Sequence, residues 1–161
     1  MKRARIGIIA AAILAVATIT WAQTPDFSGT WTLDPAASGA TGTGGGARPG
    51  GGRMGGPMTV KQTADTLSIE RQGRGGATMT LTYKLDGSES VNKQTMGQMG
   101  EVELTSVAKL DGNKLTITTK RPGQDGNIME TSETWTMADG MLTIESTGGR
   151  GPSKRVYKKG A

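Results

Sequence analysis

The chain has 161 residues, with 19 Lys and Arg against 14 Asp and Glu, and it contains neither cysteine nor histidine. That length suits one domain. Without cysteine there is no disulfide framework and no acylated lipoprotein anchor. Without histidine the usual zinc ligand and the usual neutral-pH general base are missing, and Ser–His or Cys–His catalysis with them.

Residues 1–22 have the layout of a secretory signal peptide. Lys2, Arg3 and Arg5 form a basic head, an apolar run from Ile6 to about Ala17 follows, and Thr20 and Ala22 supply the small residues before a cut. The apolar run is short for a membrane span. The expectation is an exported protein, periplasmic or secreted, with a signal helix that is removed and no membrane span afterwards. Loss of the three basic residues lowers the net charge from +5 to about +2, which gives little electrostatic reason to expect a nucleic-acid partner.

The remainder, residues 23–161, reads as one β domain. Phe27, Gly29, Trp31 and Leu33 alternate with Ser28, Thr30, Thr32 and Asp34. Pro35 to Ser38 suit one short turn. From Ser38 to Pro57 the chain is dominated by glycine, a composition that loses much backbone entropy on ordering and buries little. It is expected to be a flexible loop after the first strand. It loosely matches a dinucleotide fingerprint, but the helix and parallel βαβ unit that the motif requires are missing.

Further along, Met79, Leu81, Tyr83 and Leu85 alternate with Thr78, Thr80, Thr82 and Lys84. Val102, Leu104, Ser106, Ala108 and Leu110 form another stripe, and Met129, Thr131, Glu133, Trp135 and Met137 a fourth. A period of two with one apolar face describes antiparallel strands over a shared core. Asp86-Gly87, Asp111-Gly112 and Asp139-Gly140 separate such runs, and Asp-Gly accepts the positive φ angles of tight hairpins. Leu67-Ser68-Ile69, Leu115-Thr116-Ile117 and Leu142-Thr143-Ile144 look like three entries into return strands. The predicted topology is a meander of about eight to ten strands. Arg150, Lys154, Arg155, Lys158 and Lys159 gather at the end, as basic residues do on a solvated edge strand.

The stretch Phe27-Ser28-Gly29-Thr30-Trp31-Thr32-Leu33-Asp34 resembles the opening strand of lipocalin-like (calycin) barrels, which carry Gly-x-Trp there. Phe27 through Ser38 is similar to the start of small exported bacterial lipocalin-like proteins. The resemblance implies an all-β, up-and-down antiparallel β-barrel; a flattened β-sandwich is the alternative. It also implies a barrel floor in which Gly29 and Trp31 sit beneath a basic residue of the last strand, Arg155 or else Lys154. The family's usual role is the binding of small hydrophobic molecules. The long glycine tract and the lack of disulfides depart from its pattern.

The inward stripes nominate a lining of Met79, Leu81, Tyr83, Leu104, Met129, Glu133, Trp135 and Met137. After the signal there are only five aromatics, and Ser106 and Ala108 are small. Such a core either leaves space for a ligand or closes as a thin, solid barrel. Glu133 is the anomaly, since a buried carboxylate needs a partner or water. The carboxylates Glu101/Glu103 and Glu130/Glu133 do not make a catalytic dyad, because the first pair lies on a solvent face and the second points to opposite faces. The methionines serve better as apolar filler than as copper ligands without histidine or cysteine beside them. The sequence therefore predicts a non-catalytic, cofactor-free binding protein for a small hydrophobic ligand. The alternative is a cavity-less structural or interaction module of the cell envelope.

Overall fold

The computed structural model describes residues 24–38, 56–72, 77–95, 100–123, 125–148 and 151–160. The expected signal peptide at 1–22, and the glycine-rich segment 38–57 apart from its two ends, lie outside the described residues. The described chain forms ten strands: β1 (Gly29–Leu33), β2 (Met58–Gln62), β3 (Thr66–Gln72), β4 (Thr78–Lys84), β5 (Asp86–Thr95), β6 (Glu101–Asp111), β7 (Lys114–Pro122), β8 (Ile128–Ala138), β9 (Met141–Gly148) and β10 (Ser153–Lys159). They make one antiparallel sheet in the order β4-β3-β2-β1-β10-β9-β8-β7-β6-β5. Each strand pairs with its neighbours in sequence except at one point, between β4 and β5, and β1 pairs with β10. The sheet is continuous and curls until its two edges face each other, so the architecture is a nearly closed barrel and not a sandwich.

Alternation sets the inside. Leu67 and Ile69 of β3, Tyr83 of β4, Leu104, Ser106 and Ala108 of β6, Leu115 and Ile117 of β7, Trp135 of β8, and Leu142 and Ile144 of β9 are all buried. Their neighbours in sequence are mostly threonine, serine, lysine and glutamate, which face water. The Asp-Gly signals act in three different ways. At Asp139-Gly140 both residues take positive φ, 52° and 73°, as a two-residue turn flanked by paired Ala138 and Met141 demands. At Asp111-Gly112 the aspartate is the last strand residue, paired with Lys114, and Gly112 with Asn113 makes the turn. Asp86-Gly87 opens β5 beside a register shift between Asp86 and Glu89.

The β4–β5 seam has no backbone ladder. Two side chains of β5 replace it. The Thr82 amide donates to Asn92 Oδ1 (2.8 Å), Asn92 Nδ2 donates to the Thr82 carbonyl (3.0 Å), and the Lys84 amide donates to Ser90 Oγ (2.9 Å). Asn92 and Ser90 are buried, whereas Val91 between them is 60% exposed. This strand has polar side chains inside and an apolar one outside, because its inner face must satisfy backbone groups of β4.

One end of the barrel is plugged. Residues preceding β1 cross it, tied down by Gln62, whose Oε1 accepts from the Phe27 amide and whose Nε2 donates to the Pro25 carbonyl (2.9 Å each). Phe27 enters the core and meets Trp135 edge to face, with ring centroids 6.0 Å apart. The Trp31 indole N–H donates to the Phe27 carbonyl (2.9 Å), which satisfies its one polar atom. Trp31 is fully buried, as the alternation predicts. At the other end of β1, the turn at 35–38 is stitched to β10: the Val156 amide donates to Ser38 Oγ (2.9 Å), and Ser38 Oγ donates to the Asp34 carbonyl (2.6 Å). This turn covers Val156 on the outer face.

Two outcomes follow from this packing. Trp31→Ala should cost about 3–5 kcal/mol in urea unfolding, the range for removing a large buried aromatic. Asn92→Ala leaves the Thr82 amide and carbonyl without their partner and should cost about 2 kcal/mol in the same measurement.

Candidate functional site

The barrel interior changes character along its axis. At the plugged end it is apolar and tightly packed, with Phe27, Trp31, Leu67, Leu115, Trp135, Leu142, Ile144 and Tyr157 at most 1% exposed. Toward the opposite end the inward positions are polar or half-buried. Glu133 pairs in register with Ile117 and Ser146, and Arg155 with Ile144, so both side chains share the inner face with that core. Arg71 lies two residues beyond Ile69 on the inner face of β3 and is in register with Met58 and Met79. Arg121, in register with Met129, continues the inner stripe of β7 nearer the rim.

These groups form a charged layer above the floor. Arg155 Nη2 lies 2.7 Å from Glu133 Oε1 and donates to Ser146 Oγ at 2.6 Å. Ser146 Oγ donates to Glu133 Oε1 (3.3 Å), and the Trp135 indole N–H donates to Glu133 Oε2 (3.3 Å). The Arg155 and Glu133 side chains are 13% and 16% exposed. Burial pushes the Glu133 carboxyl up, but Arg155 and Arg71 beside it, with hydrogen bonds from Arg155 and Trp135, outweigh burial and hold it below the usual range. The opposite wall takes part as well. Burial drives the Tyr83 phenol well above its ordinary value, the Glu133 charge adds to that, and Arg71 opposes it. Tyr83 on β4 and Glu133 on β8 therefore sense each other across the interior.

The eight nominated lining residues all fall on the inward face, in two zones. Trp135 belongs to the packed floor, and Met137 packs against it. Met79, Leu81, Met129 and Glu133 are half-buried in the upper half, with Tyr83 and Leu104 buried beside them. The polar partner required for Glu133 is Arg155.

The floor needs one correction. The cation over the Trp31 ring is neither Arg155 nor Lys154 but Lys159, with Nζ 5.9 Å from the ring centroid. The register decides this. Trp31 pairs with Lys159, and Arg155 lies four residues back along the same face, roughly 13 Å away at the rise of a strand. Lys154 is one residue further and on the outer face. Gly29 serves the same contact. Its φ is +141°, and a Cβ there would meet Lys159 Cε at 2.9 Å. The glycine of Gly-x-Trp thus leaves room for the lysine stem to cross toward the tryptophan.

Sequence reasoning did not single out Arg71. The signal was present, since Leu67-x-Ile69-x-Arg71 continues the inward stripe into a charged residue, as Thr131-x-Glu133 does on β8. Ser90 and Asn92 carried no comparable signal, for their strand has no apolar alternation. The described residues also line an open groove of about 310 Å³ at the β9–β10 end, between Glu145, Ser146, Thr147, Pro152, Ser153 and Lys154. It lies at the rim and not in the interior.

No protein family matches this sequence, and no curated protein sequence matches it. Solved structures do. Secretory abundant heat soluble protein 4 from Ramazzottius varieornatus is 21% identical, with 83% of this chain and 94% of that one covered at a TM-score of 0.55. The wild-type fluorescent protein UnaG is 19% identical, covering 83% and 97% at 0.54. The REP1-NXSQ fatty acid transporter is 18% identical, covering 83% and 96% at 0.54. At these identities the likeness is one of fold, a calycin-type barrel, which agrees with the resemblance carried by residues 27–38.

Replacing Glu133 tests the charged layer. Glu133→Ala should cost about 3–5 kcal/mol at pH 7, because it leaves buried guanidinium charge uncompensated. A carboxyl with a lowered native pKa stabilises the fold above its unfolded value, about 4.3, and that contribution is lost as pH falls through the native value. Denaturation of wild type and Glu133→Gln at pH 7 and pH 3 should show a stability gap that narrows at the acid pH.

Proposed function

We propose that this protein is an exported, non-catalytic carrier that takes a small, largely apolar molecule with an anionic end into the upper half of its barrel. The observation that carries the reading is the layering of the interior. Arg71 and Arg155 face a single carboxylate, Glu133, with Arg121 nearer the rim, above a floor of aromatic and aliphatic side chains. A guanidinium recognises an anionic oxygen, and an apolar floor suits a hydrocarbon body. The half-buried Met79, Leu81 and Met129 leave apolar surface accessible between the two. A fatty acid transporter has the same fold at a TM-score of 0.54. Export rests on the leader-like pattern of residues 1–22.

The competing reading, an interaction module without a ligand, is favoured by the solid packing of the floor. The two separate in one experiment. Native mass spectrometry of the protein purified from its own host should show a bound mass of a few hundred daltons that organic extraction removes. Titration with long-chain fatty acids should then saturate at one per chain, with Kd near about 1 µM, or about 8 kcal/mol, or tighter. A bare chain that binds no fatty acid in titration would leave the module reading standing instead.

A further inference from the structure

The inner wall is not uniform round its circumference. One register row carries a small residue on every strand from β5 to β9, and four of the five bear a hydroxyl. Ser90 pairs with Ser106, Ser106 with Thr119, Thr119 with Thr131, and Thr131 with Gly148. Two-residue alternation puts all of them on the inner face. We propose that this row of hydroxyls is a track for a hydroxyl group carried part-way along the body of the cargo, so that the protein selects mid-chain hydroxylated amphiphiles over plain ones. This rests on the carrier reading and adds the chemical class of the cargo's body.

Three observations support it. First, the row leads from the mouth inward. Strands of a closing barrel tilt and stagger, so register partners change level from strand to strand. Gly148 is the last residue of β9, at the open end, whereas Ser90 lies midway along β5. Burial follows the same course. Gly148 is exposed, Thr131 and Thr119 are half-buried, and Ser106 and Ser90 are 1% and 6% exposed.

Second, packing alone does not call for hydroxyls here. Valine has the shape of threonine and fills an inward strand position with no polar atom to desolvate. Strands β2 to β4 follow that rule with Met58, Val60, Ile69, Leu81 and Met79, Arg71 and Tyr83 apart. The β4–β5 seam accounts for Ser90, whose Oγ accepts from the Lys84 amide. It does not account for Ser106, Thr119 or Thr131.

Third, the row keeps hydrogen-bonding capacity. Ser106 Oγ and Thr119 Oγ1 are 2.9 Å apart, and one bond between two hydroxyls leaves each a lone pair with which to accept. A Cβ at Gly148 would crowd Thr131 Oγ1 at 3.0 Å, so the glycine keeps that hydroxyl open on the side of the mouth. Neutral acceptors of this kind take an O–H, which a hydroxyl on the cargo supplies. The apolar parts of the body then lie against Met79, Leu81 and Met129.

Stearate and monohydroxystearates substituted at several mid-chain positions differ only in the group at issue. Their affinities are to be measured for wild type, Thr119→Val, Thr131→Val and the double variant, with circular dichroism as the check on folding. Wild type should bind at least one mid-chain hydroxystearate about fivefold tighter than stearate. The double variant keeps the side-chain shape, and it should bind stearate within about twofold of wild type while losing the preference. Each single variant should shrink the preference to about twofold, and the two serve alone if the double variant does not fold. The proposal is overturned if wild type binds stearate and every hydroxystearate alike. It is equally overturned if the full preference survives in the double variant or in both single ones. Wild type that binds none of these acids brings down the carrier reading together with this one. Wild type that binds them without discriminating brings down only the hydroxyl track.

Discussion

The pairing of β1 with β10 is the joint on which the rest of the barrel depends. A meander alone would yield two separate ribbons, β1 to β4 and β5 to β10. Three register pairs, Trp31 with Lys159, Thr32 with Lys158 and Leu33 with Tyr157, join them into one sheet. The same register sends Trp31 into the core, brings Lys159 over its ring, and sets Arg155 one layer above the floor. A slip of one residue would turn Arg155 outward and Val156 inward, and the charged layer would lose its cation. The turn at 35–38 guards against such a slip, because Ser38 bonds the Val156 amide from outside the sheet.

The opposite joint, between β4 and β5, follows a different principle. Backbone pairing there is replaced by Asn92 and Ser90, whose side chains take the place of a missing ladder. An amide side chain offers an N–H donor and a carbonyl acceptor in the spacing of a peptide group, so Asn92 can serve both polar atoms of Thr82. The barrel thus has one joint made of strands and one made of side chains. The second ends at Thr82. Above it lie Thr80 and Thr78, on the same strand and the same side of the barrel as the half-buried Met79 and Leu81.

Much of the fold was legible in the sequence because a half-buried antiparallel sheet has a short period and Asp-Gly turns have a steric reason. The stripes through Tyr83, Leu104 and Trp135 fall inside as two-residue alternation requires. Glu133 was legible as an anomaly on an apolar stripe, and its need for a cation was sound. What could not be read was which cation. Arg155 and Lys159 lie four residues apart on one face, and only the register against β1 decides which of them meets Trp31 and which meets Glu133. Register is a relation between distant segments, with β1 and β10 separated by more than a hundred residues, and no local pattern encodes it. β5 was illegible for a second reason: Ser90 and Asn92 face inward because of what lies across a seam, not because of their own hydropathy.

The axial division of the interior explains how one small, cysteine-free barrel tolerates buried charge. Aromatic and aliphatic side chains at the plugged end contribute stability in proportion to the area they remove from water. That contribution is independent of anything in the upper half, where Arg71, Arg155, Glu133 and Tyr83 together oppose folding through desolvation. The Glu133–Arg155 pair limits this cost, since the opposite charges meet at 2.7 Å with Ser146 and Trp135 hydrogen-bonded beside them. The solid floor and the polar upper half are therefore two parts of one arrangement: the first supplies the stability that offsets the desolvation of the second.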